Sequence, residues 1–180
     1  MRVISGAARG SLLFSPIGKR TRPTSDFVKE NLFNIIGNDV LGAIFLDLFA
    51  GSGQIGIEAL SRGAGSCVFV DISKSCMDLI EKNLIKTKLK NKAAIIKNDA
   101  NVAVKKLAGQ KFDIIFMDAP YFEDFVESVL SEIKCGDVLA DGGYVIIEIS
   151  RATNLPEIDG FEIFKEREYS GTRLVFLRRK

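Results

Sequence analysis

A chain of 180 residues with 47% hydrophobic composition can build one domain with a substantial core, and is too short for two independent ones. A formal net charge of +2 excludes a surface that is cationic throughout, so nucleic-acid binding must rest on a local patch. The absence of histidine removes Ser-His-Asp chemistry, imidazole acid-base catalysis and the commonest metal ligand. Cys67, Cys76 and Cys135 form no C-x-x-C and suggest neither a disulfide framework nor a zinc ribbon, which fits a reducing, cytoplasmic setting without a structural metal. The opening "MRVISGAARG" lacks the apolar segment of a secretory signal, and no stretch approaches the roughly 18 apolar residues of a membrane span.

Residues 1 to 23 read as a basic arm, with Arg2, Arg9, Lys19, Arg20 and Arg22 and no acid among them. A leading helix is expected over 24 to 37, where Phe27, Val28, Leu32, Phe33, Ile35 and Ile36 recur near helical spacing and Thr24 or Asp26 offers an N-cap. From residue 43 to 180 apolar runs alternate with helical segments. "AIFLDLF" precedes a helix from about Ile55 to Arg62, "SCVFVDI" one from Lys74 to about Lys88, "AAIIKND" a short one from Asn101 to Leu107, and "FDIIFMDAP" one from Glu123 to Ile133, before "GYVIIEIS". Near-continuous apolar strands separated by amphipathic helices predict a mostly parallel, doubly wound α/β sheet in a single domain. "FEIFKEREY" and "TRLVFLRR" leave no room for a crossover helix, so a terminal antiparallel hairpin is expected.

The segment "DLFAGSGQIG" follows the first strand and opens a helix, with Gly51, Gly53 and Gly56 in G-x-G-x-x-G spacing. By itself such a loop is equally a tight turn. Asp71 at the end of the second strand suits a pair of ribose hydroxyls, and Asp99 at the end of the third suits an adenine amino group, so the three together suggest a nucleoside pocket. NAD(P) and S-adenosylmethionine both fit that pocket. A dehydrogenase also needs a proton-handling residue and a substrate-binding portion, for which the chain has neither histidine nor spare length.

The fourth strand ends in Asp118, Ala119, Pro120 and Tyr121, which resemble the [D/N]-P-P-[Y/F] motif of amino-group methyltransferases. "TRPTSDFVKENLFN", "DLFAGSGQIGIEALSRGA", this tetrapeptide and "YSGTRLVFL" together resemble the bacterial family that methylates guanine N2 in small-subunit ribosomal RNA, over essentially the whole chain. The resemblance implies a class I, Rossmann-like S-adenosylmethionine-dependent methyltransferase fold, S-adenosylmethionine as donor, and 16S ribosomal RNA as substrate, free or within a small subunit or assembly intermediate. It implies that Phe49, Ala50, Gly51, Ser52 and Gly53 bound the methionine part above Asp47, that Asp71 holds the ribose, and that Asp99 and Ala100 meet the adenine. Asp118 to Tyr121 would hold the guanine, with Ala119 standing where the family usually has proline. Arg9, Lys19, Arg20 and Arg22 are the candidate RNA contacts, and a monomer is expected. The residues alone leave open an adenine-N6 or other amino methyltransferase, an oxidoreductase, and an RNA-binding module without activity.

Overall fold

The apolar runs become strands β1 (Ile44–Leu48), β2 (Ser66–Asp71), β3 (Ala93–Lys97), β4 (Phe112–Met117), β5 (Leu139–Ser150), β6 (Phe161–Tyr169) and β7 (Thr172–Arg179). Helix α1 (Asp26–Ile36) precedes them, and helices α2 (Gln54–Ser61), α3 (Lys74–Thr87), α4 (Ala100–Lys106) and α5 (Glu123–Cys135) lie between successive strands from β1 to β5. The computed structural model describes residues 1–15, 25–118, 123–153, 155, 157–169 and 171–180. The N-cap of α1 is neither Thr24, which lies outside the described residues, nor Asp26. It is Ser25, whose Oγ accepts from Val28 N at 3.2 Å, while Asp26 occupies the first helical turn.

The strands form one seven-stranded sheet in the order β3-β2-β1-β4-β5-β7-β6. β1 to β5 run parallel, and β7 is antiparallel to both of its neighbours. The terminal hairpin forms as expected, with the last strand inserted between β5 and β6. Composition explains the order: Leu174 to Leu177 of β7 are all buried and need a covered position, whereas β6 is mostly exposed and charged and suits an edge.

Side-chain alternation sorts the core into two layers. Phe45, Phe69, Ile114, Phe116, Ile146 and Leu174 pack with α1, α2 and α3. Leu46, Leu48, Val70, Ile115, Met117 and Ile147 pack with α4 and α5 on the other face. Among the described residues no helix is long and apolar enough to cross a membrane.

The start of the basic arm is more firmly built than its composition suggests. Residues 1–15 fold back on themselves through Val3 N to Ser11 O (2.9 Å), Leu13 N to Met1 O (3.2 Å) and an antiparallel bridge between Arg2 and Leu12. A buried acid on α2 then captures the fold-back. Glu58 is fully buried; its Oε2 accepts from Ile4 N at 2.8 Å, and its Oε1 accepts from Ser5 N at 3.0 Å and Arg62 Nε at 2.7 Å. Lys29 of α1, also fully buried, donates to Arg2 O at 2.7 Å and lies 3.4 Å from Asp26. Burial lowers its pKa, and the charges of Glu58 and Asp26 resist that fall. Arg9 stays exposed on this platform, while Lys19, Arg20 and Arg22 lie outside the described residues.

Gly6 shows how closely the arm approaches α2. Its φ is +82°, and a Cβ there would stand 1.7 Å from the Ser61 carbonyl oxygen. The variant Gly6→Ala is therefore expected to lose about 2 kcal/mol or more of stability, read as a calorimetric Tm lowered by about 4–8 °C. An unchanged Tm would contradict this seating of the arm.

Candidate active site

Four strands place an acid on the same face of the sheet near its carboxyl edge. Leu48 is in register with Val70 and Met117, and Met117 with Ile147, so the next residues Asp71, Asp118 and Glu148 share one level. Asp47 stands two levels lower on the same face, since it is in register with Phe69 and Phe116. Each of the four continues a series whose earlier members are core residues of the first layer.

These acids organise the glycine loop. Asp47, 1% exposed, accepts from Gly56 N through Oδ2 at 2.9 Å and so ties the first turn of α2 to β1. Asp71 accepts from Gly51 N at 2.8 Å through Oδ2 and from Ser73 N at 2.8 Å through Oδ1, which binds the loop to the end of β2. Within the loop Phe49, Gly51 and Gly53 all have positive φ, at 72°, 55° and 78°. For phenylalanine this is a strained backbone, of the sort that concentrates at ligand sites. Among the described residues a Cβ on Gly51 would meet only the Phe49 oxygen, at 4.0 Å, so none of them crowds the loop there. At Gly56 a Cβ would instead lie 2.3 Å from the Phe69 ring, and its glycine lets α2 lie against β2.

Asp99 lies two residues beyond β3 rather than in it. Its Oδ1 accepts from Asn101 N at 2.9 Å and caps α4, with Ala100 buried behind it. Capping leaves its other carboxylate oxygen available to a ligand.

The local field is negative. Burial, with the charges of Asp118 and Asp71 added, pushes the Asp47 carboxyl up to about 8 against the hydrogen bond from Gly56. Burial and the Glu148 charge push Asp118 up to about 7. Glu148, 8% exposed, accepts from Thr172 Oγ1 at 3.3 Å. Glu148 and Thr172 escape the sequence reading, although "VIIEIS" signals a glutamate embedded in an apolar run at the core-facing phase.

Such a cluster suits a cationic nucleoside better than a dinucleotide. S-adenosylmethionine carries a sulfonium and an ammonium group, which relieve the carboxylate repulsion; the pyrophosphate of NAD(P) would add to it. The fold agrees, because the dinucleotide-binding order 3-2-1-4-5-6 has no antiparallel strand between the fifth and sixth. Charge and strand order thus both speak against the oxidoreductase alternative.

The family described as Conserved hypothetical protein 95 matches residues 1–178. YlbH of Bacillus subtilis (strain 168) is 40% identical over 182 residues, covering 100% of this chain and 99% of that protein. The chain belongs to this family. Ribosomal RNA small subunit methyltransferase D of Escherichia coli (strain K12) is 32% identical over 158 residues, 88% of this chain and 79% of the relative. The solved structure of yhhF from Escherichia coli superposes with a TM-score of 0.89 at 29% identity, covering 100% of this chain and 98% of that one. The family's fold is the class I S-adenosylmethionine-dependent methyltransferase fold expected from the sequence.

Within this member of the family the edge brings together Asp47, the loop from Phe49 to Gly53, Asp71 and Asp118, and sets Asp99 and Ala100 at the neighbouring strand end. Ala119, Pro120 and Tyr121 lie outside the described residues. Glu58, Lys29 and Asn83, which no sequence motif marks, fasten the arm beside the loop.

Proposed function

We propose that the protein transfers the methyl group of S-adenosylmethionine to the N2 amino group of a guanine in 16S ribosomal RNA. The observation that carries this reading is the position of Asp118, at the level of Asp71 where β4 ends beside the strained loop, with burial and the Glu148 charge raising its pKa to about 7. The name of the Escherichia coli relative supports a small-subunit ribosomal RNA substrate. The particle is an assembled or assembling small subunit, and the enzyme works on it as a cytoplasmic monomer.

S-adenosylmethionine, once bound, supplies an electrophilic methyl group on a positively charged sulfur. Phe49, Ala50, Gly51, Ser52 and Gly53 bound its methionine part over Asp47, Asp71 takes the ribose hydroxyls, and Asp99 with Ala100 meets the adenine. Guanine N2 is a poor nucleophile because its lone pair is delocalised into the ring. Asp118 accepts one N2–H and the Ala119 carbonyl the other, which fixes the amine and stabilises positive charge growing on nitrogen. A carboxylate near pKa 7 is also suited to take the surplus N2 proton at neutral pH. Alanine at 119 retains the carbonyl, and Tyr121 offers a stacking face to an extruded base. Arg9, Lys19, Arg20 and Arg22 contact phosphates and set register without reading sequence.

The substrate class is tested by incubating labelled donor with separated small and large subunits from cells lacking this enzyme. Label is expected in small-subunit RNA alone; label in large-subunit RNA, or in neither, would refute the reading.

The working form of Asp118 is the carboxylate, so kcat/KM is expected to rise with pH and level off above about 7. Glu148→Gln removes the neighbouring negative charge while keeping an acceptor for Thr172, and is expected to move this acid limb to lower pH. A limb that stays in place or moves upward would show that Glu148 does not act on Asp118.

A further inference from the structure

The two ends of the N-terminal fold-back meet at one residue of the glycine loop. At one end the Met1 sulfur accepts from Ser52 Oγ at 3.5 Å. At the other, Asn83 of α3 stands between Phe14 and Ser52, wholly buried. Its Oδ1 accepts from Phe14 N at 2.8 Å, and its Nδ2 donates to Phe14 O at 3.1 Å and to Ser52 O at 2.9 Å. A carboxamide has two N–H groups, and this one divides them between the arm and the loop. Lys86, one turn further along α3, covers the Phe14 ring at 4.6 Å and braces the same point.

We infer that Asn83 couples the donor site to the RNA-binding arm, so that occupancy of the glycine loop strengthens RNA binding and RNA binding strengthens that of the donor. This rests on the proposed function. The loop holds Phe49 in a left-handed conformation that costs free energy on its own, and a ligand in contact with the loop offsets that cost. Fixing the loop fixes the Ser52 carbonyl, which orients the Asn83 amide plane and with it both backbone groups of Phe14. Phe14 closes the fold-back that carries Arg2 and Arg9, and Lys19, Arg20 and Arg22 follow it in sequence. A ligand that orders one side thereby lowers the ordering cost of the other, and by linkage the effect is the same in both directions. Asn83 is a positioning residue here, acting through Ser52 and Phe14.

Binding of small subunits from cells lacking this enzyme is measured with and without saturating S-adenosylhomocysteine, whose own binding is first established by calorimetry. The wild-type protein is expected to bind subunits about tenfold more tightly with S-adenosylhomocysteine, and in Asn83→Ala the ratio is expected to fall to about one. A purely structural role would weaken binding and leave the ratio unchanged. A second measurement needs no variant: hydrogen exchange at the Phe14 amide of the wild-type protein is expected to slow by about tenfold when S-adenosylhomocysteine binds. A wild-type ratio of one, a ratio retained in Asn83→Ala, or Phe14 exchange indifferent to S-adenosylhomocysteine would each overturn the coupling alone. Failure of S-adenosylhomocysteine to bind would overturn the proposed function and the coupling with it.

Discussion

Asp118→Ala is expected to lower methyl transfer by on the order of a thousandfold, the size of effect seen when a charge-stabilising or proton-accepting group is removed. The variant should still bind S-adenosylhomocysteine, because the loop is held by other side chains: Asp71 through Gly51, and Asn83 through Ser52. It should also fold well, since it removes a carboxyl whose ionised form is disfavoured by burial and by Glu148. Loss of activity together with loss of S-adenosylhomocysteine binding would instead assign Asp118 to the donor pocket. Asp118→Asn separates charge from shape: it keeps an oxygen acceptor but cannot collect the proton, so its residual rate should lose the rise near pH 7.

The largest expected effect on stability comes from Glu58→Ala. It leaves the buried Lys29 ammonium with only Asp26 and the Arg2 carbonyl, and takes the acceptor from the Ile4 and Ser5 amides and the Arg62 guanidinium. Breaking a buried ion pair from one side costs about 3–5 kcal/mol, a Tm lowered by about 10 °C for a chain of this length. Glu58→Gln should lose less, because an amide oxygen still accepts from the arm. Calorimetry of the two variants checks both statements. A Tm unchanged in the alanine variant would mean that the arm and α2 do not depend on this carboxylate.

The parallel half of the sheet was legible because each strand is an apolar run too short for a helix and is bounded by polar residues. The position of β7 was less so. Pairing "FEIFKEREY" with "TRLVFLRR" follows from the short turn, but their order in the sheet depends on which strand can tolerate an edge, a matter of comparing their exposed charge. The seating of the arm was not legible. A basic, glycine-rich start signals an arm and no anchor, yet Val3, Ala8 and Leu13 are buried. The residues that fasten the arm carried a signal in their phase. Lys29 shares a helical stripe with Leu32, Phe33 and Ile36, Glu58 sits inside "GIEAL", and Asn83 falls on the stripe of Met77, Ile80, Leu84 and Thr87. A polar side chain in a buried phase implies a partner, but not which one, because the partners here are backbone amides and carbonyls distant in sequence. Glu148 follows the same rule on a strand, where it continues the face that also presents Asp47, Asp71 and Asp118.

The most direct test of the account is the identity of the modified nucleoside. Small subunits from cells lacking this enzyme are incubated with the protein and labelled S-adenosylmethionine, the 16S ribosomal RNA is digested to nucleosides, and the labelled product is separated by chromatography. N2-methylguanosine is expected, formed by the wild-type protein and lost in Asp118→Ala. Label recovered as N6-methyladenosine, or N2-methylguanosine formed equally well by Asp118→Ala, would contradict it.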